Sequence, residues 1–315
     1  MYEHTFQHRV ATSSATLSVA MVWLVLSWLF SVPPTLAVGG TLTGTAVTGI
    51  LVAWWNDAFM LLRIRSRLIS AWMLAFAAAC PFMAGWGTAL VPAACALGLY
   101  SFLFRAYQKP RPESDVFHAF VFLGVGSFFF PQWLYFVPFL WGAMFVRLRV
   151  YGLRVWSSAI VGLTLPYWIY GGYAAWQNRF DTAFGFLSGL GEFAVPDYGS
   201  VPLPVAVSFG FLTFYLVIAS GHFSRTSYND KIRVRMYHRL LTTQALLMAV
   251  LLIAQPQHYA VLFPLYVLTS SPIVGHYLAL ARGWGMNVWF VASLVLLVAL
   301  SVFNHLAPWI PLSTF

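Results

Sequence analysis

The chain has 315 residues, of which 60% are hydrophobic and only 8% are charged, compared with about 45–50% and about 25% in soluble domains. So few charges cannot cover the surface of a soluble protein, and so many apolar side chains exclude a disordered chain. The net charge of +9 is typical of a membrane protein with basic cytoplasmic loops. We therefore expect contact with anionic membrane lipid and no nucleic-acid partner.

The apolar runs are continuous rather than alternating, which predicts an all-α, polytopic transmembrane helical bundle. A helix needs about 20 mostly apolar residues to cross the hydrocarbon. Cutting the runs at charges and turn residues gives about eleven spans by this criterion. In chain order, the predicted spans cover residues 15–37, 42–62, 68–86, 87–104, 116–130, 132–146, 155–176, 201–220, 240–254, 259–280 and 288–307.

The predicted hairpin at 116–146 is shorter than the other spans. Each arm has about 15 residues, or about 22 Å of helix, which is less than the hydrocarbon thickness of about 30 Å. Either the bilayer is thinner at this hairpin, or the hairpin ends below the outer surface. The sequence leaves both alternatives open.

The lysines and arginines predict the orientation of the chain. All of them except Arg179 fall in the N-terminal segment or in alternate loops of the eleven-span arrangement. Because these side chains resist translocation, the loops that carry them are expected to be cytoplasmic. The sequence thus predicts a cytoplasmic N-terminus and a periplasmic C-terminus.

The predicted spans fall into two blocks separated by a long outer loop. Residues 1–176 hold about seven spans and residues 201–315 hold about four. Within the loop, 177–200, apolar residues follow helical spacing and polar ones lie on the opposite face, which predicts an amphipathic helix at the membrane interface. The apolar residues are Phe180, Phe184, Leu187 and Leu190, and the polar ones are Asp181, Ser188 and Glu192.

Ionisable groups within the spans are scarce, which limits where catalysis or ion coupling could occur. On the outer face the acid candidates for catalysis are Asp181, Glu192 and Asp197. The alternative is a solvated polar surface with Asp197 in a turn. The sequence contains no metal-binding or phosphate-loop motif, so we expect no metal ion and no cofactor.

Three basic residues that are predicted on the inner face, Lys231, Arg235 and Arg239, share one side of a helix. They could hold the phosphate of a lipid carrier, although a cytoplasmic location alone also explains them. Asp57, near the inner end of the second span, is a candidate for contact with a lipid headgroup. Its alternative role is pairing with the neighbouring arginines.

The tenth predicted span combines two prolines with hydroxyl side chains. Ser270, Ser271 and His276 lie close to Pro272 and could line a substrate cavity, because proline frees backbone carbonyls as in the broken helices of transporters. The alternative is that the hydroxyls bond back to their own helix.

The first 180 residues combine Asn56 and Asp57, the arginines at 63–67, the hairpin from Phe117 to Phe145, and Pro166 with Tyr167. In this combination they resemble a bacterial family of unknown function that consists of multi-span inner-membrane proteins of Gram-negative bacteria. The same stretch is similar in rhythm to the C-type membrane glycosyltransferases, which move sugars from polyprenyl-phosphate carriers on the outer face. These resemblances imply location in the bacterial inner membrane.

One departure from the glycosyltransferase pattern affects the expected function. In that superfamily the first outer loop is long and carries the catalytic acid, whereas here the corresponding loop, predicted at Val38–Thr41, is short and contains no acid. The resemblance therefore implies a non-catalytic scaffold or accessory subunit of envelope assembly, which binds a lipid-linked substrate or a partner membrane protein. The alternatives are a polyprenyl-phosphate-dependent glycosyltransferase and a transporter of small solutes or lipids.

Overall fold

The structure, a computed structural model, describes residues 5–179, 184–191, 195–283 and 285–307. Within these ranges it contains twelve α-helices and no strand, which confirms the predicted all-α fold. The helices are α1 (Phe6–Thr12), α2 (Ala15–Ser31), α3 (Leu36–Phe59), α4 (Leu68–Ala79), α5 (Leu90–Ala106), α6 (Glu113–Phe129), α7 (Val137–Ala143), α8 (Leu153–Trp176), α9 (Leu203–Thr226), α10 (Ile232–Ala254), α11 (Tyr259–Leu280) and α12 (Met286–Leu306).

Six helical segments in the described part of the chain are long and apolar enough to cross a membrane. A seventh is present if α1 and α2, which meet at an 85° bend, form one span. The chain is therefore a helical membrane protein. The six segments are Leu36–Phe59, Gly87–Ala106, Leu203–Asn229, Ile232–Ala254, Pro256–Leu280 and Met286–Leu306.

The prediction of a loop at Val38–Thr41 is wrong. Helix α3 already begins at Leu36, so this stretch is helical, and the connection from α2 covers residues 32–35. Two prolines in this connection oppose continuation of α2, and the Thr35 side chain caps α3 by accepting a hydrogen bond from the Val38 N–H at 3.2 Å. The connection remains short and contains no acidic residue.

The helices pack into two compact units. Unit 2 consists of the described residues within 91–195. Its central contact is between α6 and α8, which run in the same direction. A Cβ at Gly162 would collide with the backbone carbonyl of Phe117, and a Cβ at Gly124 would lie 2.6 Å from that of Leu163. These glycines therefore allow the two helix backbones to approach closely.

The second arm of the predicted hairpin is not a single helix. Residues Pro131–Phe136 form a 3-10 segment, α7 covers only Val137–Ala143, and the π-helical turn Met144–Leu148 follows. Prolines at 131 and 138 explain the interruption, because proline cannot donate the hydrogen bond that a continuing helix requires.

Unit 1 consists of the described residues within 1–90 and 196–315. Its short helix α4 has 12 residues and is buried along almost its whole length, although about 18 Å of helix cannot cross the hydrocarbon. The last three carbonyls of this helix are those of Ala77, Ala78 and Ala79. They accept hydrogen bonds from Trp28 Nε1 at 2.9 Å, Ser27 Oγ at 2.5 Å and Asn304 Nδ2 at 2.7 Å, respectively.

These three donors explain how α4 can end inside the protein. The last carbonyls of a helix have no intrahelical partner, and lipid offers no water to replace one. Side chains from α2 and α12 supply the missing hydrogen bonds. The predicted span at 68–86 is thus an α-helix only over Leu68–Ala79, and 3-10 segments follow it.

Candidate functional site: the basic end of unit 1

The N-terminal helix lies against the C-terminal end of α11. Gln7 Nε2 donates hydrogen bonds to the carbonyl of Leu278 at 2.8 Å and to that of Ala281 at 3.0 Å. A cavity of about 250 Å³ lies beside this contact, lined by Thr5, Gln7, His8, Ile64 and residues 279–282. The start of the described chain, the α3–α4 connection and the α11–α12 connection therefore meet at one end of unit 1.

The connection between α9 and α10 lies at the same end. His238 Nε2 donates a hydrogen bond to the Leu61 carbonyl at 2.9 Å, which joins α10 to the α3–α4 connection. Asp230, just before α10, accepts a hydrogen bond from His276 Nε2 of α11 at 3.1 Å. Four segments that are distant in sequence thus converge on one surface.

All the lysines and arginines of unit 1 belong to these four segments. We call this surface the basic end of unit 1. It carries Arg9, Arg63, Arg65, Arg67, Arg225, Lys231, Arg233, Arg235, Arg239 and Arg282. Within the described residues the basic end holds two carboxylates, Asp57 and Asp230, so its charge is strongly positive.

Asp57 pairs with the arginine cluster, which is the alternative given for it above. Its carboxylate lies 2.7 Å from Arg67 Nη1, and the same nitrogen donates to the Ala53 carbonyl. The neighbouring Asn56 Nδ2 donates to the Ser66 carbonyl at 2.9 Å. Asp57 therefore helps to fix the α3–α4 connection.

The three predicted phosphate ligands lie on one side of α10. Lys231 and Arg239 are exposed and Arg235 is half-buried, and none of the three forms an ion pair with any other described residue. The Nε of Arg235 is shielded from solvent and has no hydrogen-bond partner among the described residues.

Arg233, on the same helix, is engaged within the protein. Its guanidinium lies 5.4 Å from the centre of the Tyr237 ring, and its Nε donates to the Tyr237 hydroxyl. Arg235 and Arg233 therefore carry the same charge in different settings: the first has an unused buried donor, and the second has a partner.

Beneath the basic end lies a buried cluster of Asp230, His276 and His238. The side chains of His276 and Asp230 are 3% and 4% exposed, and His238 is fully buried. The two imidazole rings are 4.8 Å apart, and the Phe223 ring lies 5.1 Å from each of them. The cluster joins α9, α10 and α11.

The carboxylate of Asp230 is the part of the cluster that lies outside the spanning helices. Burial raises the pKa of this carboxyl group, but the hydrogen bond from His276 and the positive charge of His276 and Arg63 outweigh burial, so the pKa is lower than usual. Asp230 is therefore ionised at neutral pH.

The sequence pointed to His276 but missed His238. The ninth span was predicted to begin at 240, whereas α10 begins at Ile232 and extends through the basic residues before it. Long basic side chains can reach past the hydrocarbon to water, so a helix can continue where its charges begin. A lone histidine within such a basic stretch gave no further signal.

Comparison with protein-family models, with curated proteins and with solved structures finds no match to this chain. Nor do the described residues include a group of three or more histidine, cysteine, aspartate or glutamate side chains that could hold a metal ion. The case for a function therefore depends on the geometry of the basic end.

The predicted cavity residues Ser270 and Ser271 are buried, and both donate hydrogen bonds to the Val267 carbonyl of their own helix. Helix α11 is continuous through Pro264 and Pro272. The hydroxyls thus bond back to their own helix, as the alternative proposed, and His276 instead contacts Asp230 of another segment.

Two of the outer acid candidates, Asp181 and Glu192, lie outside the described residues, as does Phe180. The third, Asp197, is exposed and accepts a hydrogen bond from the Gly199 N–H at 3.0 Å, so it lies in a turn as the alternative proposed. Of the predicted amphipathic helix, Gly185–Leu190 forms a 3-10 segment.

Proposed function

We propose that the chain is a multi-pass protein of the bacterial inner membrane, with its N-terminus and the basic end in the cytoplasm and its C-terminus in the periplasm. It has about eleven spans, one of which combines α4 with the 3-10 segments that follow it. The support is the convergence of every lysine and arginine of unit 1 on one end, since these side chains resist translocation. In unit 2, the parallel helices α6 and α8 both begin just after basic clusters, which follows the same pattern.

At the basic end, the protein binds the phosphate headgroup of a membrane lipid, including a polyprenyl-phosphate-linked substrate, through Lys231, Arg235 and Arg239. The observation that carries this proposal is the Arg235 Nε, which is buried without an acceptor among the described residues. Leaving a buried donor unsatisfied costs about 1–3 kcal/mol. A phosphate oxygen would accept a charge-assisted hydrogen bond from it, and Lys231 and Arg239 lie on the same side of the helix.

The role is that of a non-catalytic scaffold or accessory subunit in envelope assembly, which holds a lipid-linked substrate for a partner membrane protein. Both carboxylates described at the basic end are engaged, Asp57 by Arg67 and Asp230 by His276. Neither is free to act as a general acid or base on a bound phosphate. The glycosyltransferase and transporter alternatives have less support, because Asp197 lies in a turn and the serines of α11 bond to their own helix.

The test compares Arg235→Gln with Arg233→Gln, which removes the same charge from the same helix. Full-length protein in mild detergent is titrated with a soluble short-chain phosphatidic acid and, separately, with a short-chain phosphatidylcholine. We expect Arg235→Gln to weaken phosphatidic acid binding about tenfold, the effect of losing a charge-assisted hydrogen bond, and Arg233→Gln to weaken it less than about twofold.

Equal losses in the two variants would mean that only the overall charge attracts lipid, and would contradict a site at Arg235. Unchanged binding in Arg235→Gln would do the same. Native mass spectrometry of the wild type then identifies the lipid that co-purifies with the protein. Retention of phosphatidylcholine alone would contradict recognition of the phosphate charge.

A further inference from the structure

The Asp230–His276–His238 cluster has no part in the proposed contact with lipid phosphate, yet its three ionisable side chains are buried. Burying a carboxylate costs several kcal/mol unless a partner compensates it. Here the carboxylate and both imidazoles are almost completely removed from solvent. Ionisable side chains in such positions commonly hold or transfer protons.

The hydrogen bonds define which ring nitrogens carry hydrogen. A carbonyl oxygen only accepts, so His238 must donate from Nε2 to the Leu61 carbonyl at 2.9 Å. In the neutral ring, its Nδ1 then carries a lone pair, and this atom is buried without a partner in the described residues. His276 donates from Nε2 to Asp230 at 3.1 Å. The cluster therefore contains two bonded N–H groups and, in its neutral-ring form, two open basic nitrogens.

The groups that face the cluster set its electrostatics. Among the described residues, Arg63 of the α3–α4 connection and His222 of α9 are further ionisable neighbours. The Tyr277 ring of α11 lies 5.1 Å from that of His222. On the remaining side, the Phe223 ring covers both imidazoles. With both imidazoles neutral, the cluster carries the single negative charge of Asp230.

We propose that the cluster of Asp230, His276 and His238 is a proton-binding site. A proton from water binds the open ring nitrogen of His276, and the resulting imidazolium is held beside the Asp230 carboxylate, so the pair becomes neutral overall. Release returns the same proton to water, and no other bond changes.

This assignment does not depend on lipid binding, but it gives the basic end a charge that changes with pH. Loading the proton removes one negative charge from beneath the surface that carries Lys231 and Arg235. The positive field of this surface is therefore stronger when the site is occupied. The ligand of the site is the proton itself.

The test is nuclear magnetic resonance of the full-length protein in lipid nanodiscs with ¹⁵N-labelled histidine. His276→Gln and His238→Gln assign the two rings. On acidification, we expect the His276 ring to change from one protonated nitrogen to two, while His238 keeps hydrogen on Nε2. Asp230→Asn is expected to reduce the doubly protonated fraction of His276 relative to the singly protonated one about tenfold, because it removes the opposite charge.

The matched control is Asp57→Asn, which removes the other described carboxylate of the basic end and is expected to leave the His276 signal unchanged. A His276 ring that keeps one bare nitrogen down to about pH 5 would overturn the proposal. Equal effects of Asp230→Asn and Asp57→Asn would also overturn it. If Asp230→Asn does not fold, the wild-type spectrum alone decides, because it shows whether the second proton binds.

Discussion

Among the described residues, each of the two units buries one carboxylate beside basic residues, but the partners differ. In unit 2, the Asp115 side chain is 5% exposed and pairs with Lys109 at 2.6 Å and Arg105 at 3.7 Å, which are 44% and 59% exposed. In unit 1, Asp230 pairs with the 3% exposed His276. The partners of Asp115 are strong bases in contact with water, whereas the partner of Asp230 is a buried ring that can lose its proton.

Two acids that are buried to a similar extent can therefore differ in whether the charge beside them is permanent. A lysine or arginine at the surface remains charged at any physiological pH, so the Asp115 pair is a fixed contact at the start of α6. A histidine changes charge near neutral pH, so the environment of Asp230 can change. Sequence position does not reveal the distinction, since both acids lie next to basic loops.

The largest expected effect concerns the side of the membrane on which the two acids lie. Tyr228 near Asp230 and Arg111 near Asp115 are exposed, as is Ser200 next to the Asp197 turn. Single cysteines at 228, 111 and 200 are treated with a membrane-impermeant maleimide in intact spheroplasts. We expect full labelling at 200 and none at 228 or 111 until the membrane is opened, because basic loops stay in the cytoplasm.

The natural cysteines, Cys80 and Cys95, are buried and free, so the unmodified protein gives the background for this experiment. Labelling from outside at position 228 but not at position 111 would place Asp230 and Asp115 on opposite sides of the membrane. This result would contradict the expected shared location of the two acids. Labelling of both from outside would invert the proposed orientation.

Removal of each acid should affect stability unequally. Asp230→Ala leaves the buried Nε2 of His276 without an acceptor, and we expect it to lower the free energy of unfolding by about 1–3 kcal/mol. Asp115→Ala leaves Lys109 and Arg105 able to return to water, and we expect a loss below about 1 kcal/mol. Unfolding in mixed detergent, followed by tryptophan fluorescence, measures both. A larger loss for Asp115→Ala would show that the surface partners are not readily hydrated.

The features that the sequence predicted follow from local properties of the chain. Apolar runs identified α3, α5 and α9–α12, because the length of a membrane helix is set by the hydrocarbon thickness. The shared side of Lys231, Arg235 and Arg239 followed from helical spacing. The contact of Asp230 with His276 joins residues 46 positions apart, and that of His238 with Leu61 joins residues 177 positions apart. Such contacts depend on packing, which a single sequence does not display.

The early end of α4 could not be predicted for the same reason. Residues 68–86 read as one apolar run, and only Ser27, Trp28 and Asn304, from other helices, reveal where the helix stops. Likewise, the prolines of α11 left a broken and an unbroken helix open as alternatives, and this helix is buried on all sides and continuous. Tertiary packing overrides local preference in both places.

The smallest expected effect is the acid dependence of stability. The pKa of Asp230 is lower in the folded protein than its ordinary value of 3.8, because the hydrogen bond and charge of His276 outweigh burial. The unfolded state therefore binds more protons in this range, and stability falls as the pH falls. The contribution of the carboxylate is complete above the unfolded pKa and is lost as the pH drops through the lower, folded one.

The difference in unfolding free energy between the wild type and Asp230→Asn isolates this contribution. We expect the difference to shrink as the pH falls below about 4. Detergent unfolding at a series of pH values measures it, with Asp197→Asn, an exposed turn residue of the same unit, as the control. A difference that instead grows as the pH falls below about 4 would mean that the folded protein holds Asp230 protonated, and His276 would then be its hydrogen-bond acceptor instead of its donor.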